Sequence, residues 1–319
     1  MIEGDNMRKY DIMFMDVITP LHNGSGEGLG LVDNPILRER TTQFPIIQAS
    51  SIKGVLRDAY GKDDGSDVVS LFGPPPGKGE EHAGAISFGE GQILAFPVRS
   101  LKGCFVWVTS PIVLWRFYQK IDIIGKENLF PELKNLIDKI VSGMDKAMIC
   151  PSGKDTLLLN GELLLEEFSI CCDDDDSGKL LEKFAKEISG KIYRSENDIF
   201  LKNEFEKKLV LLNEDTFRYF VTNATEVVPN IKIGEKGTTE KGSLRYTEYL
   251  PSETIMYSIL TFEKSRRDGA NAEGVKNLFA DKFPKKTIQI GGDETTGKGV
   301  VKLALVEGVK SNDRQKSGP

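Results

Sequence analysis

His22 and Asp33 bracket a glycine-rich run, Gly24-Ser25-Gly26-Glu27-Gly28-Leu29-Gly30, and Arg38, Arg40, Lys53 and Arg57 follow close behind. These residue types share one natural chemistry. RNA carries its own nucleophile, the 2′-hydroxyl, beside the phosphate it attacks. A protein that cuts it needs to hold that phosphate in line, move a proton and stabilise developing charge. One carboxylate holding a divalent cation such as Mg2+ or Mn2+, with basic side chains nearby, supplies those elements. The same two side chains also suit a solvated loop carboxylate and a capping histidine, and their spacing leaves both readings open.

A second glycine-rich run lies at the other end: Ile290-Gly291-Gly292-Asp293-Glu294-Thr295-Thr296-Gly297-Lys298-Gly299. Glycine permits positive φ and close approach of another backbone or a phosphate. Gly292 to Lys298 fits the G-x-x-x-x-G-K phosphate loop, but Gly299 stands where a serine or threonine must hold magnesium. The residues that follow read as a strand rather than the required helix, and Asp293 and Glu294 would repel a triphosphate. An NTP-using enzyme is therefore the weaker reading. A glycine loop that joins two strands and touches a sugar-phosphate backbone is favoured, with a ligand-free turn as the alternative.

Composition sets the frame. With a net charge of -6 over 319 residues, any polyanion site must be a local patch, and indiscriminate coating of nucleic acid is excluded. The four cysteines (Cys104, Cys150, Cys171 and Cys172) show no C-x-x-C spacing, and His22 and His82 are the two histidines. A structural zinc site is not expected, and reduced thiols in a cytoplasmic protein are. The first residues lack the apolar stretch of a secretory signal, Met7 offers a second start, and no apolar run has the length of a membrane span.

The elements that must position these residues follow from periodicity. Tyr10–Ile18 reads as a buried strand, Phe44–Ile47 as a short extended piece, and Ser50–Tyr60 as a helix capped by serine. On that helix Lys53 and Arg57 are four apart and share a side. Leu71–Gly79 reads as a loop, and Ala85–Phe88, Gln92–Phe96 and Phe105–Thr109 as strands. A helix starts at Pro111, and others cover Pro131–Ile140 and Lys179–Ser189. Leu157–Leu165 is a hairpin about Asn160-Gly161, and Asp173–Asp176 an acidic turn. A long hairpin is expected from Val227–Ile233 and Gly242–Leu250 around a polar tip, with Tyr246 and Tyr249 placed to stack on bases or to pack the hairpin base. Thr254–Phe262, Thr287–Ile290 and Gly299–Val306 read as strands, Glu273–Phe283 as a helix, and 311–319 as a disordered tail. The order is α+β, a mostly antiparallel sheet with helices on one side.

Six motifs in register along the chain resemble the RAMP superfamily of CRISPR proteins, most specifically the backbone subunits of type III-B Cmr complexes. They are the run Gly24 to Pro45 (with Leu31-Val32-Asp33-Asn34-Pro35 and Arg38-Glu39-Arg40), Ser51–Arg57, Leu71–Pro74, Phe96–Gly103, Tyr249–Ser252 and Ile290–Gly299. The resemblance implies one ferredoxin-like, RRM-like domain, with a palm over 8–118 and 251–308, an inserted finger region over 119–221 and a thumb hairpin over 222–250. It implies copies stacked head to tail along a CRISPR guide RNA with other Cmr subunits, and metal-dependent endoribonuclease cuts in complementary target RNA at six-nucleotide intervals. A non-catalytic RNA scaffold of the same kind is the alternative. The catalytic aspartate and metal ligand falls on Asp33, with His22 and Glu248 assisting; the family has an acidic pair before the tyrosine, where this chain has Thr247-Glu248-Tyr249. RNA contacts fall on Lys53, Arg57, Arg38, Arg99, Lys102, Gly291, Gly292, Lys298 and Tyr249.

Overall fold

The apolar run near the N-terminus forms a strand, Arg8–Val17, that is buried almost throughout its length, as a strand covered on both faces must be. It lies between two antiparallel partners, Ile255–Glu263 and Val300–Leu305. The computed structural model describes residues 8–306 except 27, 29, 62–65, 76, 78–80, 141–143, 145, 174–176 and 284–286. Met7, the 311–319 tail and most of the acidic turn at Asp173–Asp176 lie outside the described residues.

The main sheet has ten strands. In spatial order they are Ile288–Gln289, Val300–Leu305, Arg8–Val17, Ile255–Glu263, Gly91–Arg99, Phe105–Thr109, Leu209–Leu211 and Met148–Ile149. Ile46–Ile47 adds to Gly91–Arg99, and Ile86–Phe88 to Ile255–Glu263. Leu209–Leu211 runs parallel to Phe105–Thr109, and the other strand pairs of this sheet are antiparallel. The parallel pair requires a long crossover, and the helices Pro111–Ile123, Pro131–Ile140 and Ser177–Ile192 lie within it. Ser177–Ile192 buries Leu181, Phe184, Ala185, Ile188 and Ile192, an i, i+3, i+4 stripe. It packs against Pro131–Ile140 and Ile199–Lys208.

Several local expectations change. The helix starting at Ala49 is flanked by Gln48 without a side-chain cap, so Ser50 does not cap it. Leu71 and Phe72 are not loop residues: they close a short helix, Ser66–Phe72, which ends where Gly73 turns to φ 94° and returns its amide to Val69 O. Two further helices, Ile199–Lys208 and Glu214–Asn223, and the strand Leu209–Leu211 were not expected. Asn213 caps the second of these helices by accepting from Thr216 N at 2.9 Å. The hairpin about Asn160 (φ 52°) and Gly161 (φ 86°) forms as expected, with the doubly positive φ of a tight I′ turn. The long hairpin also forms, as Glu226–Asn230 paired with Arg245–Tyr249. Among the described residues no helix is long and apolar enough to cross a membrane.

Candidate functional site

The return strand of the long hairpin organises the site. Its inner edge presents the amide and carbonyl of Tyr246, Glu248 and Leu250, and each of these groups is taken by the N-terminal loop. Tyr246 N donates to Asp33 Oδ2 at 2.7 Å. Tyr246 O accepts from Asn34 N, and Glu248 N donates to Asn34 O, both at 3.0 Å. Glu248 O pairs with His22 Nδ1 at 2.7 Å. Leu250 exchanges both backbone bonds with Leu21. Asp33 and His22 therefore dock onto one strand two residues apart, which places their anchor points about 7 Å from each other.

That arrangement fixes the histidine tautomer. A carbonyl oxygen only accepts, so Nδ1 carries the proton and the neutral ring keeps its lone pair on Nε2. Nε2 faces Gly24, where an added Cβ would lie 2.6 Å away. The ring packs edge-on against Tyr249, with centroids 5.7 Å apart. Tyr249 donates its hydroxyl to Asp293 Oδ2 at 2.7 Å and carries Lys298 Nζ over its face at 4.8 Å. Burial and the Asp293 carboxylate push the Tyr249 phenol up to about 12, so it remains a donor at neutral pH.

The two glycine-rich runs meet here. Gly292 N donates to His22 O and Gly299 N to Pro20 O, both at 2.9 Å. Gly291 has φ 84°, and a Cβ on it would stand 2.2 Å from His22 O. Gly291 and Gly292 thus serve to seat the C-terminal loop on His22. This loop is not a phosphate cradle: Gly297 N and Lys298 N turn back to Glu294 O and Asp293 O, and a strand follows in place of a helix. The Thr296, Gly297, Lys298 and Gly299 amides all donate to backbone carbonyls of the protein.

Glu248 and Arg38 take roles different from those expected. Glu248 is 6% exposed. Its Oε1 accepts from Arg38 Nη2 at 2.6 Å and Thr225 Oγ1 at 2.8 Å, and its Oε2 from Ile36 N at 3.0 Å. Arg38 also donates to Gln43 O and Val221 O. The pair ties the Asp33 loop, the end of helix Glu214–Asn223 and the hairpin base together, and neither group faces open solvent with free valence. Tyr249, expected among the RNA contacts, is 3% exposed, so its ring is no stacking surface; Tyr246, at 38%, is the open one.

The other basic residues are dispersed. Lys53 stands half-buried, without an ion-pair or hydrogen-bond partner among the described residues. Arg57 donates to Gly73 O at 2.7 Å and closes the end of helix Ser66–Phe72. Arg99 is exposed and paired with Glu166 at 2.8 Å, and Lys102 donates to Leu158 O. Asp293, Thr225 and Asn34 are the residues that sequence reasoning missed. The only signal for Asp293 was its place after two glycines.

Among the described residues no group of three or more His, Cys, Asp or Glu side chains is arranged to hold a metal ion. Asp33 offers one carboxylate oxygen beyond its bond to Tyr246. That donor set fits a hard cation such as Mg2+, which takes most of its ligands from substrate phosphate and water, and does not fit a closed protein cage.

A family model described as the RAMP superfamily matches residues 14–302. The chain belongs to the RAMP superfamily. It is 39% identical over 294 residues to the CRISPR system Cmr endoribonuclease Cmr4 of Pyrococcus furiosus, covering 91% of this chain and 93% of that one. The crystal structure of oligomeric Cmr4 from Pyrococcus furiosus superposes with a TM-score of 0.68 at 30% identity, covering 93% of this chain and 98% of that one. A chain in the cryo-EM structure of the type III-B Cmr-beta bound to cognate target RNA gives 0.71 at 23% identity, covering 93% and 97%, a likeness of fold. The α+β architecture expected from the sequence is that of these RAMP neighbours.

Proposed function

We propose that this RAMP protein is a backbone subunit of a type III-B CRISPR effector complex and a metal-dependent endoribonuclease. It binds the CRISPR guide RNA, stacks head to tail with further copies and with other Cmr subunits in the cytoplasm, and cuts guide-complementary target RNA at six-nucleotide intervals. The observation that carries the cleavage reading is the docking of Asp33 and His22 side by side on the return strand of the hairpin. The hairpin over 222–250 is the thumb of a palm made from 8–118 and 251–308, with 119–221 as the insertion. Sequence choice comes from base pairing, so the protein contributes shape and phosphate contacts.

In this reading His22 Nε2 accepts the proton of the 2′-hydroxyl. The 2′-oxygen bonds to phosphorus, the bond to the 5′-oxygen breaks, and that oxygen takes a proton from water as it leaves. Asp33 Oδ1 would hold the divalent cation, which when bound offsets charge on the phosphate. Lys298 adds positive charge over the Tyr249 ring, against which His22 packs. Exposed Tyr246 offers a face to a base.

One observation favours the scaffold alternative: the Asp33 carboxylate already caps the Tyr246 amide. Asp33→Asn separates the two, because the amide oxygen still accepts that bond while the charge is lost. The assembled complex, carrying guide RNA, is given end-labelled complementary RNA with Mg2+ or EDTA. The expected result is metal-dependent cuts at six-nucleotide spacing that fall by about 100-fold or more in the variant, with guide binding retained. Wild-type rates in Asp33→Asn would return Asp33 to the structural carboxylates.

A further inference from the structure

We propose that Asp293 is a positioning residue for the cut: its carboxylate is the terminal acceptor of a directed chain of hydrogen bonds that holds the loop of His22 and Asp33 on the hairpin. The inference rests on the reading of this site as the cleavage centre and adds to it a residue from the C-terminal loop.

The chain starts from amides and ends on a carboxylate. Asn34 Nδ2 and Asn230 Nδ2 both donate to Thr247 Oγ1, at 3.2 and 3.1 Å. A hydroxyl has two lone pairs and one proton. With both lone pairs of Thr247 taken, its proton points onward, and the Tyr249 hydroxyl is the side-chain group it bonds. Tyr249 in turn donates to Asp293 Oδ2 at 2.7 Å. A carboxylate only accepts, so it sets the direction of both hydroxyls before it. Thr247 and Tyr249 are 5% and 3% exposed, and at such depth bonds in series strengthen one another while an unmet one is costly.

The chain adjoins both candidate groups. Asn34 follows Asp33 and is bonded through its backbone to Tyr246 and Glu248. The Tyr249 ring packs edge-on against His22, whose Nδ1 is held by Glu248 O, and so limits rotation of the imidazole about that bond.

The Asp293 side chain has no part in closing its own loop. The backbone carbonyl does that: Asp293 O accepts from Thr296 N at 3.1 Å, Thr296 Oγ1 at 2.9 Å and Lys298 N at 3.2 Å. Asp293 lies in the left-handed region, φ 63° and ψ 30°, which glycine enters at lower cost. Among the described residues its carboxylate makes one hydrogen bond, to Tyr249. A strained non-glycine residue whose side chain serves a neighbouring loop is the signature of a functional constraint.

Asp293→Gly removes the acceptor without adding strain, because glycine suits this φ and the carbonyl bonds of the turn remain. Asp293→Asn keeps an oxygen that accepts from Tyr249. Single-turnover cleavage of complementary RNA by the assembled, guide-bound complex is measured with Mg2+ over a range of complex concentrations, and hydrogen exchange is followed in peptides covering Asn34 and Glu248. In Asp293→Gly the rate constant falls about tenfold or more with the half-saturating concentration unchanged, and both peptides exchange faster. Asp293→Asn restores rate and protection. In a Tyr249→Phe background Asp293→Gly costs nothing further, since the acceptor then has no donor to meet. A wild-type rate in Asp293→Gly, an equal loss in Asp293→Asn, or losses that add across Asp293 and Tyr249 overturns the inference. If the wild-type complex leaves the RNA intact, the cleavage reading falls by itself, and unchanged exchange in Asp293→Gly is then the result that overturns the hydrogen-bond chain.

Discussion

Asp16→Asn should stabilise this protein at alkaline pH. Asp16 lies on the central strand, 1% exposed, and among the described residues neither of its carboxylate oxygens has a hydrogen-bond partner. Around it lie Glu253, Asp198 and the unpartnered hydroxyl of Tyr193, with Lys302 directly across the strand pair but engaged to Asp198 at 2.5 Å. Burial, then the Glu253 charge, raise the Asp16 carboxyl to about 7, against a partial offset from Lys302. A folded-state pKa raised above the unfolded one means that folding takes up a proton. The Asp16 contribution to stability is then highest below about pH 4, falls as pH rises through 4 to 7, and is flat above. A displacement of about three pH units is worth about 4 kcal/mol between those limits. Burial also raises Glu253, which adds in the same direction. Asparagine resembles the protonated acid, so it removes the Asp16 share of the slope and leaves the variant more stable than wild type at pH 8, by up to about 4 kcal/mol. Urea unfolding of both proteins at pH 5, 6, 7 and 8 measures this. Parallel pH profiles, or a variant less stable than wild type at pH 8, would refute the reasoning.

Two further outcomes follow from the site. Arg38→Met leaves Glu248 buried and uncompensated and should cost about 3–5 kcal/mol in unfolding free energy, while Arg38→Met/Glu248→Gln recovers much of it; a single variant as stable as wild type would show that the pair is not the latch described above. Gly291→Ala combines positive φ with a Cβ 2.2 Å from His22 O and should displace the C-terminal loop, lowering stability by roughly 2–4 kcal/mol along with cleavage. Gly237→Ala, at φ 73° with open space around it, serves as the control at about 1 kcal/mol, and equal losses at both positions would contradict the contact argument.

Long apolar runs made the main strands legible in the sequence, and Asn160-Gly161 made the short hairpin legible, because each rests on local backbone preference. Leu209–Leu211 was not legible: three residues become a strand only because Phe105–Thr109 is there to pair with them. The site divides in the same way. Asp33, His22 and the two glycine runs stood out by type and spacing. Arg38 and Glu248 were read as reaching for RNA or its cut, since a charge in isolation is expected outside; their burial follows from each other, across 210 positions of sequence. Tyr246 and Tyr249 could not be ranked for exposure by alternation, because burial is continuous from Thr247 to Leu250 as the strand enters the body of the protein.

The position of Arg8–Val17 between Ile255–Glu263 and Val300–Leu305 governs the order of assembly. Arg8–Val17 stays unpaired on both of these edges until segments more than two hundred residues later in the sequence have been made. Its apolar face must wait, and the closure of such distant segments is slow. The centre of this sheet is therefore expected to form late. The candidate site joins the N-terminal loop, the hairpin and the Ile290–Gly299 loop, so it takes shape only after segments far apart in the sequence have met.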